Sequence, residues 1–122
     1  MLGVRAADRQ TSDMRKFSLD ALARRHLEQA AGAASGRSAE TVYGGHERTL
    51  RQTLIALTAG NALGDHPNPG DATVAVLRGR VELTTETDSW EGRTGDMLIV
   101  PEETHGLRAL EDSVVLLSVA KT

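Results

Sequence analysis

The stretch from Ala72 to Arg78 constrains the fold of this chain more than any other. Ala72, Val74 and Val76 fall on alternate positions, so one face of an extended segment is small and apolar and turns toward a core. An Arg78-Gly79 turn signal follows at once, and a second extended run covers roughly 80–86. Further short runs, at roughly 97–100, 105–110 and 114–120, are separated by Thr87-Asp88-Ser89, by Gly92 to Asp96 and by Glu111-Asp112-Ser113. A longer strand is expected at 49–58. There Leu50, Gln52, Leu54 and Ala56 share one face and Arg51, Thr53, Ile55 and Leu57 the other. Both faces grow apolar toward its C-terminal end, so both are expected to be covered there, one by the interior and one by a helix or a partner chain. Many short strands with such punctuation predict an antiparallel sandwich or barrel, not a crossover α/β fold.

Upstream of the strands the period changes. Leu19, Leu22, Ala23, Leu27 and Ala30 recur at three- and four-residue spacings behind Ser18, an N-cap residue, which predicts one amphipathic helix over about 18–31. "GAASGRSAE" ends it with turn-prone residues. Residues 1–16 are polar and aperiodic and read as a flexible leader, leaving 17–122 as a single domain.

The charge balance removes several function classes. The net charge is −3 and the 14 Lys and Arg residues form no stripe, so nucleic-acid binding by this chain is not expected. The sequence has no Cys, hence no disulfide or thiolate chemistry, which fits a reducing cytoplasm. Neither a signal-peptide h-region nor an apolar run of membrane-spanning length is present. The expectation is a cytoplasmic protein with no membrane partner. With only 2% aromatic residues, the core must rest on Leu, Val, Ile and Ala.

Residues 60–105 carry a motif-level likeness. Gly60 is followed after five residues by His66, and Gly79 closes that first block. Gly95 opens a second block that reaches Pro101 after five residues, with His105 in "PEETH". These spacings resemble the two motifs of the cupin superfamily, G-x5-H-x-H-x3,4-E-x6-G and G-x5-P-x-G-x2-H-x3-N. The resemblance implies an all-β, cupin-like antiparallel β-barrel (jelly roll), here with an N-terminal amphipathic helix. It is most similar to the small single-domain cupins, many of which have no assigned activity.

The family's usual metal ligands are three His and one Glu, and the resemblance carries over only His66 and His105. The second histidine is replaced by Asn68 and the glutamate by Ala72, while Arg108 and Ala109 lie where the closing asparagine belongs. Two imidazoles alone are a poor site, because catalytic zinc takes three protein ligands and non-haem iron two His with a carboxylate. Asp71 is the candidate third ligand, although strand alternation turns it outward unless a bulge at Pro69-Gly70 re-aims it. Gln52 and Asn68 are weaker, neutral donors. A divalent Zn, Ni, Fe or Mn ion is the cofactor such a set implies.

The reading that follows is a small-molecule-binding module without a complete metal site, its ligand held by Gln52, His66, Asn68 and His105. A metal-dependent enzyme of dioxygenase or isomerase type, using His66 and His105, is the alternative, and a dimeric regulatory or structural protein is a third. A homodimer is expected, because an open barrel leaves edges that need cover. His46 beside Gly44-Gly45 reads as an exposed loop histidine, His26 as surface or helix-packing, and the carboxylates of "PEETH" as solvated loop charges. Trp90 reads as structural, at a dimer interface or over one end of the barrel. "SGRS" and "GRTGD" precede no strand-to-helix transition, so neither is a phosphate loop. No nucleophile-elbow motif is present.

Overall fold

A computed structural model describes residues 15–67 and 70–121, and for His66 the backbone only. Most of the expected leader, 1–14, together with Asn68 and the Pro69 half of the expected bulge, lies outside the described residues. The elements are α1 (Leu19–Gly32), β1 (Arg37–Tyr43), β2 (Leu50–Leu57), β3 (Ala62–His66), β4 (Gly70–Arg78) and β5 (Arg80–Thr85), followed by β6 (Ser89–Arg93), β7 (Met97–Ile99), β8 (His105–Ala109) and β9 (Ser113–Lys121).

The strands form two antiparallel sheets, one in the order β1-β2-β9-β4-β7 and the other β3-β8-β5-β6. They face each other as a jelly roll; the described strands do not join into one closed hydrogen-bonded wall. Alternation decides what lies between them. Ala72, Val74 and Val76 of β4 are buried, as their spacing predicts. They meet Ile55 and Leu57 of β2, Val115 and Val119 of β9, and Val81, Leu83 and Leu107 of the second sheet. Burying a Val or Leu side chain is worth about 1.5–3 kcal/mol, so this aliphatic interior holds the sheets together without aromatic rings.

The opposite face of the five-stranded sheet packs under α1. Leu54, Ala56 and Val114 are buried there against Ala23 and Ala30 of the helix. That explains why β2 is apolar on both faces: one face belongs to the interior and the other to the helix of the same chain. Ser18 sits at the N-cap in extended conformation and its Oγ accepts from Ala21 N at 3.1 Å. Two polar ties add to the apolar contact. Arg78 donates to Asp20 at 2.5 Å and holds that carboxyl below its ordinary range, with Arg24 assisting. Buried His26 reaches β1 through Ser38 Oγ (2.6 Å) and Glu40 Oε1 (2.8 Å).

The glycines of the two motifs turn corners. Gly60, Gly79 and Gly95 have φ of 87°, 84° and 94°, a left-handed region that side chains disfavour. At Gly79, between β4 and β5, a Cβ would also lie 2.3 Å from the Asp112 carbonyl oxygen, so that hairpin admits no larger residue. No helix among the described residues is long and apolar enough to cross a membrane.

Candidate functional site

His105 opens β8 and is the best-defined candidate side chain. It is 5% exposed, and its neighbours in the interior include Leu63, Leu83, Leu107 and Leu117. Its Nδ1 lies 3.0 Å from the Glu103 carbonyl oxygen. A carbonyl only accepts, so Nδ1–H donates, and in the neutral ring that leaves Nε2 as an acceptor. The "PEETH" loop thus steers the imidazole through its backbone, while Glu102 and Glu103 are exposed at their side chains.

Position 66 ends β3 directly opposite His105 in the antiparallel register, and Thr85 of β5 pairs His105 on the other side. Opposed residues of such a pair have Cα atoms about 4.5–5.5 Å apart. A register shift between Leu63 and His66 precedes this pairing, so β3 does not run in simple alternation into it. The backbone therefore sets the two motif histidine positions side by side at one end of the interior.

The other candidates lie elsewhere. Asp71 is exposed and pairs Ala120 across the outer surface of the five-stranded sheet, one residue out of phase with buried Ala72. Alternation has placed it on the face away from His105. Gln52 lies on the helix side of the same sheet, in phase with Leu54 and Ala56, and its Nε2 donates to Ser118 Oγ at 3.0 Å. The interior face of β2 is the one that carries Ile55 and Leu57, so Gln52 is not in the interior; apolar residues on both faces conceal that direction in the sequence. His46 is exposed, and its carbonyl accepts from Lys121 Nζ at 3.3 Å. Arg108 is exposed and donates to Glu82 at 3.0 Å.

The fit of a metal ion follows from this donor set. Ala72, at the family's glutamate position, offers only a methyl group, and the two replacement donors, Asp71 and Gln52, sit across the sheet. Among the described residues no three of His, Cys, Asp or Glu gather to hold an ion. Those residues do not complete the family's ligand set. The void beside His105 measures about 20 Å³, room for about one water.

The cluster of His26, Ser38 and Glu40 was not anticipated as a polar network. Glu40 Oε1 accepts from His26 Nε2 and from Arg25 at 2.6 Å, and Ser38 Oγ donates to Gln29 Oε1 at 2.9 Å. The hydrogen bond from His26, with Arg25 adding to it, holds the Glu40 carboxyl below its ordinary range. The signal was present in the helix stripe, since residue 26 lies three after Ala23 and four before Ala30, on the buried face.

No protein-family model and no curated protein matches the sequence significantly. Solved structures do match. The conserved SPY1581 protein of unknown function from Streptococcus pyogenes is 28% identical over 74% of this chain and 78% of its own, with a TM-score of 0.66. An RmlC-like cupin protein from Desulfovibrio desulfuricans is 25% identical over 69% of this chain and 81% of its own, with a TM-score of 0.61. The chain is a small cupin-superfamily domain. A cupin superfamily protein from Desulfitobacterium hafniense shares the fold at 15% identity, covering 70% of this chain and 78% of its own with a TM-score of 0.64. In this cupin the fold and the motif glycines are retained, the described ligand set is not, and the activity is unassigned.

Proposed function

We propose that this cupin is a binding module that takes a small molecule at the rim of its barrel, near His105 and position 66, without a complete metal site. The observation that carries the reading is His105 itself. It is a buried imidazole, oriented by a backbone carbonyl, at the edge of an apolar interior and opposite a second histidine position. Pockets for small molecules combine apolar walls with a few placed polar groups. Because the void admits about one water, the ligand rests at the strand ends and only a small apolar group enters.

Two measurements test this. Small phenols and polyols titrated into the protein should move the amide resonances of Leu63, His105 and Leu107, and His105→Ala should abolish the effect. Shifts confined to other surfaces would overturn the reading. Metal content after chelation and reloading with Zn, Ni, Fe or Mn should stay well below one equivalent. Stoichiometric metal that disappears in His66→Ala would replace the binding module by the metal-dependent enzyme.

A further inference from the structure

A second cavity of about 390 Å³ lies outside the barrel, between the start of α1 and the helix-facing side of the five-stranded sheet. Two aromatic rings are part of its lining. Phe17 and Tyr43, two of the chain's three aromatic residues, are 46% and 40% exposed there, over Val42 and Leu116. Its charged lining residues among those described are both cations, Arg15 and Lys16, and Gln52 adds an amide.

The sheet is distorted where the cavity opens. Thr41 pairs Thr53, yet Tyr43 pairs Gln52, so Val42 is an inserted residue. Such a bulge re-aims side chains, and here two consecutive residues, Val42 and Tyr43, line one groove. Gly44, with φ 88°, then lets the chain close against β2, since a Cβ there would lie 2.1 Å from the Leu50 carbonyl oxygen.

From this we infer that the groove is a binding site for a small flat anion, an aromatic or alicyclic carboxylate. Its ring lies between Phe17 and Tyr43 and its charge meets Arg15 and Lys16. Exposed aromatic faces supply the apolar contact, and cations unopposed by any described lining carboxylate supply the selection for a negative group. The volume falls in the range of small-molecule pockets. The site is separate from the barrel rim, and neither stands on the other.

The test uses the full chain with 2-naphthoate as probe and 2-naphthamide as its neutral counterpart, read by amide chemical shifts. Naphthoate should move Phe17, Val42, Tyr43, Gln52 and Leu116 saturably and leave Leu63 and His105 in place. It should bind about fivefold more tightly than the amide, the upper end for an exposed ion pair. The Arg15→Ala/Lys16→Ala variant should lose that preference while its thermal unfolding is unchanged. Equal affinity for acid and amide, no saturable shift at millimolar probe, or shifts at the His105 end would each overturn the proposal. So would binding that appears only after residues 1–14 are deleted, or only in a monomer released from a dimer, because the groove would then belong to the chain itself.

Discussion

A carboxylate that accepts from both an imidazole and a guanidinium gains more when ionised than when protonated, and Glu40 is in that position. Its folded pKa lies below the ordinary 4.5, with the His26 hydrogen bond as the largest cause. As pH falls, the unfolded chain takes up the proton first. The stabilisation is therefore complete above about pH 4.5 and disappears as pH drops through the lower folded value. Glu40→Gln should be less stable than the wild type at pH 7 and lose less stability between pH 5 and 3. Thermal unfolding across that range checks it, and parallel acid limbs would show that the carboxylate is not tied to the helix. At this scale the sequence was readable where one physical rule acts alone. Asp71 stands one place out of phase with Ala72 and is exposed, as strand alternation requires. Gln52 was not readable, because apolar residues on both faces of β2 leave its direction open until the helix is placed.

Among the elements, α1 depends on its first turn. Replacing Ser18 by Ala removes the acceptor for the Ala21 amide and should cost about 1 kcal/mol, seen as a lower urea midpoint with an unchanged slope. Leu54→Ala opens the layer between helix and sheet and should cost about 2–5 kcal/mol in the same measurement. An Ser18→Ala loss near zero would mean that water caps the helix equally well. The strands that the sequence announced are β2, β4, β5, β7, β8 and β9. β1, β3 and β6 were not announced, and for β1 and β6 the reason is identifiable. In β1 the positions facing the helix include Ser38 and Glu40, polar groups satisfied by His26, so no apolar period shows. In β6 the buried residue is Gly92, whose missing side chain makes room for Leu98 and Val76. Polar ties to the helix in β1 and packing space in β6, not hydrophobicity, mark these two strands.

For the whole molecule, the open question is what covers the outer surface of the five-stranded sheet beyond the helix. The double-faced apolar strand that first suggested a dimer is accounted for within the chain, since α1 covers its second face. The far edge of the sheet has no such cover among the described residues. Met97 and Ile99 of β7 are 60% and 69% exposed, beside Ala75 and Thr73 of β4 in register. Neighbouring exposed apolar side chains on a sheet edge favour association, and β7 is only three residues long, too short to stack fibres. We therefore propose a homodimer packed through this end of the sheet, while the barrel rim and the groove beside α1 lie elsewhere on the surface. Light scattering should give twice the monomer mass for the wild type. Met97→Lys/Ile99→Lys should give the monomer mass at the same concentration, with monomer stability within about 0.5 kcal/mol because both sites are on the surface. A wild type that scatters as a monomer would remove the dimer; a variant that stays dimeric would move the interface to another face.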